Sequence, residues 1–510
     1  MLTGFVAMNA CRKSPLGWDS DLLIPVLKSD LGVDDIFTDS LLVENPDQSW
    51  KLVLDQELNK VDINNLVEVH DTLSKDIFNI PIYFKVPPGQ EIIKQQSNYT
   101  MELGDVELIK ARADTARLKF YVTNTIERPL KIKYEVLSSE KNGSHFSIID
   151  DVPPADASGP SHVVKSIDLA DYNMDFTGPD HNRVNMVMSR TTVWIDPNAD
   201  TVWVTPADSI VVTSVFESLD IGYASGYFGQ SSDKIIDSSH ISTFKNFKKG
   251  AFNLKKASAE LQINNGLGLD VRMKINEIYS ENSEHASRVL LSDPIIGKSL
   301  NVLRATETGD PANPVSPRKY VFPLTNSNIT DLISNQPDEI GFKMWYEMNP
   351  LGNISGGRDF IYNKHTLEGK IHMEIPLNVD MDSLVIEDYS TVNFNSDKIK
   401  GGRLIISADN LFPYDAEIQF YMLDENRNIV DSLLPENIKS PHGVMSQGYV
   451  IKPVHSEMPL PLDEAVIEKL KKTKEILIWA RINNAGSTTY QLYHHYKIAV
   501  KLIADVEYEY

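Results

Sequence analysis

Thiol chemistry is almost absent from this chain, whose 510 residues include a single cysteine, Cys11. One cysteine excludes an intrachain disulfide and any metal site built on several thiolates. Positive charge is scarce too. Asp and Glu number 71 against 49 Lys and Arg, a formal net charge of −22. That field repels phosphates and argues against nucleic acid as a partner. No segment reaches the ~18 consecutive apolar residues of a membrane-crossing helix. Gly (26) and Pro (27) stand at ordinary levels, so a collagen-like or low-complexity chain is ruled out. The 42% of hydrophobic residues supplies packed cores, and the length predicts about three domains.

Catalytic patterns are also missing. The twelve histidines are scattered and form no HExxH. The one pair, His494-His495, reads as surface, because adjacent strand residues point to opposite faces. Asp424-Glu425-Asn426-Arg427-Asn428 begins like a calcium loop but lacks its glycine and distant Glu, so it reads as a hairpin turn. Asp196 to Asp200 reads the same way. Gly222-Tyr223-Ala224-Ser225-Gly226-Tyr227-Phe228-Gly229 reads as a glycine-rich turn with no phosphate-cradle context, and Gly352 to Gly357 lacks a P-loop lysine. There is no G-x-S-x-G elbow. No metal, cofactor or catalytic residue is expected, and the chain is read as a non-enzyme, although a scattered hydrolase site leaves no local signature.

What the chain does have is internal repetition. Three segments align without a gap: Ala116 to Asn124 running on to Leu130–Tyr134, Leu261 to Asn265 running on to Val271–Ile275, and Arg403 to Asn410 running on to Ala416–Phe420. The equivalent asparagines, Asn124, Asn265 and Asn410, are 141 and 145 residues apart. Leu118, Phe120 and Val122 alternate with polar neighbours, as do Leu130, Ile132 and Tyr134. The other two copies repeat the pattern, which marks strands with one buried face. The spacing predicts three copies of one β-hairpin, with the asparagine shaping the turn. An apolar residue follows each time (Ile126, Leu267, Phe412) and is expected to tuck the loop onto the core. Helices are predicted near Asn326–Ile333 and over Leu462–Lys472, the second capped by Asp463 and ending in lysines.

The resulting expectation is a mostly β fold with minor α, made of three tandem repeats of a hairpin-containing, sandwich-like module. The boundaries fall at 1–10 (signal peptide remnant), 11–100 (N-terminal region), 101–240, 241–385 and 386–510. Ser231 to Ser239 is expected to be a polar link between the first two modules.

The surroundings of Cys11 carry a resemblance. Residues 2–10 are apolar, Ala10 is small, and Met8-Asn9-Ala10-Cys11 resembles the lipobox of a bacterial lipoprotein signal peptide. The resemblance implies that Cys11 becomes the mature N-terminus and carries the acyl chains, several of which anchor stably where one is marginal. No basic residue precedes Cys11, so a start codon further upstream is expected. Trp18-Asp19-Ser20-Asp21-Leu22-Leu23-Ile24-Pro25, Asp39-Ser40-Leu41-Leu42 and Gly226-Tyr227-Phe228-Gly229-Gln230 are together similar to large outer-membrane lipoproteins of Bacteroidota. That resemblance implies an outer-membrane location, favouring the periplasmic face, and no particular activity. It also implies O-glycosylation at Asp-Ser/Thr followed by an apolar residue, with Ser40, Thr72, Ser209, Ser383 and Ser432 as acceptors. The leading expectation is a membrane-anchored, non-catalytic envelope lipoprotein with a structural or binding role toward envelope proteins. The alternatives are a carrier of lipid or another apolar ligand in a groove or tube, and a glycan binder or glycan-active enzyme.

Overall fold

The computed structural model describes residues 19–37, 41–58, 73–242, 244, 250–392, 399–484 and 488–509. Among the described residues, strands account for 62% and helices for 4%, so the mostly β expectation holds. The two helices among the described residues, α1 (Ile329–Ser334) and α2 (Glu464–Lys472), fall where the periodicity places them. The Asp463 side chain caps α2 by accepting the Val466 N–H at 2.9 Å.

One pairing scheme recurs in three successive stretches. In the first, Glu107–Asn124 pairs with Ser161–Asp168 and Ser209–Tyr227. Leu130–Lys141 pairs with Ser144–Val152 and Met186–Ile195, and the latter with Glu91–Thr100. In the second, Ser258–Asn265 pairs with Arg318–Pro323 and Leu367–Pro376. Val271–Asn282 pairs there with Ser287–Leu290, Ser299–Val302 and Glu339–Met348, and the last with Ser231–His240. In the third, Ile399–Asn410 pairs with Val454–Pro461 and Lys497–Glu509. Asp415–Leu423 pairs with Ile429–Ser432, Ile438–Ser440 and Glu475–Asn483, and the last with Leu384–Thr391. The second and third units are therefore each two antiparallel sheets, and in the first the two halves are joined through Asn173–Asp175.

This pairing corrects the hairpin expectation. The two strands flanking each asparagine do not pair with each other; in the second and third units they lie in different sheets, and in the first only the short strand Asn173–Asp175 joins them. The segment is an arch that carries the chain from one sheet to the other. Alternation cannot separate the two cases, because an arch and a hairpin both bury one face of each strand. The buried faces are the expected ones: Leu118, Phe120 and Val122 are at most 1% exposed, as are Leu404, Ile406 and Ala408.

The asparagines explain why an arch is tolerated inside a core. Asn124, Asn265 and Asn410 are fully buried. Each Oδ1 accepts the backbone N–H two residues on, from Ile126 at 2.8 Å, Leu267 at 2.9 Å and Phe412 at 2.8 Å. Each Nδ2 donates to a carbonyl within the arch and to a distant one: Pro153 at 2.9 Å, Leu303 at 2.9 Å, or Ser440 and Pro441 at 3.3 and 3.1 Å. One amide thus satisfies backbone groups that the crossing strands leave unpaired in a dry interior. Ile126, Leu267 and Phe412 then seat in the core at no more than 1% exposure.

The strands of the N-terminal segment are distributed among the three units, in reverse order. Asp19–Gly32 pairs with Lys497–Glu509 of the third, Trp50–Leu58 with Leu367–Pro376 of the second, and Leu73–Asn79 with Ser209–Tyr227 of the first. The chain runs back along the whole row and then returns through it. Two sequence expectations fail here. Ser231 to Ser239 is a strand rather than a polar link, and Gly222 to Gly226 is strand rather than a turn. Gly226 is needed at that place. Its φ is +152°, and a Cβ there would lie 2.0 Å from the Glu107 carbonyl oxygen.

Candidate functional site

The strand Ser209–Tyr227 is long enough to run out of the first unit. Its last residues, Tyr223 to Gly226, pair with Asp359–Tyr362 of the second. On the other side, Glu107–Asn124 pairs through Lys110 to Arg112 with the short strand Asn173–Asp175, which also meets Ser139 and Glu140. The registers line up. Glu140 stands opposite Asn173, Asn173 opposite Arg112, Arg112 opposite Tyr223, and Tyr223 opposite Tyr362. These five residues form one rung across five strands and across the joint between two units. Their inward neighbours, Ala224 and Ile361, are fully buried, which leaves the rung on the outer face.

The rung floors a groove with two lobes, of about 860 and 510 Å³, that share Arg112 and Tyr362. The larger lobe adds Lys110, Glu140, His145, Asp175, His181 and Arg190. Tyr223 and Tyr362 pack with ring centroids 4.7 Å apart and planes inclined by 46°. Behind them Phe360, Ala305 and Val315 form a small separate core. The aromatic surface is therefore supported rather than free to swing. The Tyr362 hydroxyl donates to Glu307 Oε1 at 3.0 Å. Burial, then this hydrogen bond to a carboxylate, pushes the Tyr362 phenol well above its ordinary pKa. Burial raises Tyr223 as well. Both phenols stay neutral and keep their hydrogen-bonding protons.

A half-buried ionic knot holds the joint. Arg304 donates to Asp270 Oδ2 at 2.8 Å and to Asp359 Oδ1 at 2.9 Å. Asp359 is only 1% exposed, and its other oxygen accepts from Asn349 Nδ2 at 2.8 Å. Asn349 also donates to the Gly229 carbonyl at 3.1 Å, while Gln230 donates to the Asn349 carbonyl at 3.0 Å. Burial works against the Arg304 charge, but the Asp270 and Asp359 carboxylates outweigh it and hold the guanidinium pKa above its ordinary value. The knot fixes the strand that carries Tyr362 against the chain leaving the first unit.

The residues singled out in the sequence lie elsewhere. Cys11, Ser40 and Thr72 are outside the described residues. Ser209 and Ser383 are half-buried, and Ser432 is exposed. Asp424 does close a hairpin turn, its Oδ1 accepting the N–H of Asn426 and of Asn428, both at 2.8 Å. Among the described residues, no group of three His, Cys, Asp or Glu is placed to hold a metal ion, and no helix is long and apolar enough to cross a membrane. The groove residues were missed because the rung gathers positions from 112 to 362. The one local signal was the tyrosine-rich stretch at Tyr223, misread as a turn.

No protein-family model matches the chain, and no curated protein sequence is similar to it. Among solved structures it is similar to a Parabacteroides distasonis protein provisionally described as secreted. That likeness has 11% identity, covers 95% of this chain and 99% of the other, and has a TM-score of 0.26. At that level it carries nothing about function.

Proposed function

We propose that this protein is a non-catalytic envelope lipoprotein of the outer membrane, tethered through Cys11, whose row of β units holds a binding groove away from the membrane. The observation that carries the reading is the position of the N-terminal segment. Asp19 lies eight residues after Cys11 in the sequence and pairs with Glu509 in the third unit. The groove lies between the first and second units, so a tether at Cys11 leaves the second and third units between membrane and groove. The rigid backing of the tyrosines and the mixed polar lining favour a surface that binds rather than one that reacts. The interior of the first unit holds an apolar cavity of about 50 Å³ lined by residues such as Leu108, Ala113 and Phe176. That is room for a few waters rather than an acyl chain, which favours binding over carriage of lipid. Of the Asp-Ser acceptors, we propose Ser432 for O-glycosylation, because it is the exposed one among those described.

The test is metabolic labelling with an alkyne-bearing palmitate in a Bacteroidota host. Labelled protein in the outer-membrane fraction, with both label and membrane association lost in Cys11→Ala, is the expected result. Unlabelled wild-type protein would overturn the tether. Turnover of an envelope substrate by the purified protein would overturn the non-catalytic role.

A further inference from the structure

We propose that the groove at the joint of the first two units binds an acidic oligosaccharide, laid across the rung Glu140–Asn173–Arg112–Tyr223–Tyr362. This rests on the reading of the groove as the binding face and names the chemical class it takes.

The first argument is charge. The chain carries −22 overall, yet the larger lobe is lined by Lys110, Arg112 and Arg190 against the two carboxylates Glu140 and Asp175. Arg190 reaches a carboxylate only at 4.0 Å, from Glu135. Lys110 and Arg112 make no ion pair among the described residues. His181 sits beside Asp175 at 3.6 Å and adds to the basic side when protonated. The smaller lobe carries Asp114, Glu307 and Asp310 against Arg112 and Lys364, so an acid group on a ligand is drawn to the larger lobe and its cations. The guanidinium of Arg112 is free to take a carboxylate or sulfate with two parallel hydrogen bonds.

The second argument is the order of groups along the rung. Cationic Arg112 is central. Asn173 and Glu140 lie on one side, and the tyrosines, with Glu307 behind Tyr362, on the other. Carboxylates and amides accept from and donate to hydroxyls. Tyrosine faces cover the C–H faces of a ring and offer a phenol at their edge. Hydroxyl-rich rings that also carry acid groups meet every one of these groups at once. Four strand spacings make the rung ~19 Å long, a span of several sugar rings. An extended peptide is the weaker fit, because strand addition needs a sheet edge and the rung crosses a sheet face.

The third argument is preorganisation. The small core behind the tyrosines and the Arg304 knot fix the two units at the joint, so the site is built before ligand arrives.

The experiment is binding of the purified mature protein to a printed panel of oligosaccharides bearing uronate, sialate or sulfate groups, beside their neutral counterparts. The best acidic hit is then titrated by calorimetry. Acidic members retained over neutral ones, with affinity falling as salt rises, is the expected result. Arg112→Glu, an exposed position, should weaken binding at least tenfold. Tyr223→Ala should weaken it as well, and the unfolding midpoint of Arg112→Glu should match the wild type. No acidic member retained, neutral members bound equally well, or an acidic ligand indifferent to Arg112→Glu would each overturn the proposal. Failure here leaves the palmitate label on Cys11 untouched, whereas failure of the tether leaves saccharide binding intact, so the two are separable.

Discussion

Asp19 stands directly opposite Glu509, so the first and last described strands of the chain lie side by side in one ladder. The ladder runs through to Gly32 opposite Lys497, with one irregularity between Pro25 and Leu27. Leu31 within it is fully buried. The third unit is thus completed by residues that precede the first, and several consequences can be measured.

Weakening this ladder should act on the third unit first. Leu31→Ala removes buried methyl groups and should destabilise by about 3 kcal/mol. Hydrogen exchange should show loss of protection concentrated in Lys497–Glu509, with Leu130–Lys141 unaffected. Uniform loss across the chain would contradict the placement of this strand.

The arch asparagines should respond alike. Asn410→Ala leaves the Phe412 N–H and the Ser440 and Pro441 carbonyls without their partner in a dry core. A cost of about 2–3 kcal/mol is expected in urea unfolding, with similar values for Asn124→Ala and Asn265→Ala. A near-neutral result at any of the three would mean that water replaces the amide there.

The knot at the joint should be intolerant of losing one partner. Arg304→Gln strands the buried Asp359 carboxylate and should destabilise by about 3 kcal/mol. Limited proteolysis should then cut between Leu351 and Arg358 faster than in the wild type. Unchanged proteolysis and unchanged stability would show that the joint does not depend on this pair.

One pH effect follows from His455. Its hydrogen bond to Asp409, 2.7 Å long, raises its pKa, with Glu457 adding to the effect. The folded-state pKa is the higher one, so the stabilisation is full below the unfolded value of ~6.5 and is lost as pH rises through the folded pKa. The pair is exposed and solvent-screened, so the effect should stay below about 0.5 kcal/mol. Wild type should exceed His455→Gln in unfolding midpoint at about pH 5.5 and match it near pH 8.5. The opposite trend would refute the assignment.

Much of this architecture was legible in the sequence, at the level where one side chain decides one fact. The alternation of Leu118, Phe120 and Val122 named the buried face, and Asp463 named a helix start. The spacing of Asn124, Asn265 and Asn410 named equivalent positions. Partner choice was not legible. A strand with one apolar face serves a hairpin or an arch equally, so the asparagines were found and their role as bridges between sheets was not. Ser231 to Ser239 gave no strand signal because it is an outer strand with little buried surface. Tyr223 and Arg112 carry no local pattern that joins them, since only the register of the ladder between Ser209–Tyr227 and Glu107–Asn124 sets them opposite each other.

The return path of the N-terminal segment bears on how the molecule is made. The strand Asp19–Gly32 is made well before its partner Lys497–Glu509. Until Lys497–Glu509 is made, the strand Asp19–Gly32 lacks its partner. A chain built this way carries an open strand edge until residues 497–509 arrive, and truncation before them leaves that edge exposed to aggregation.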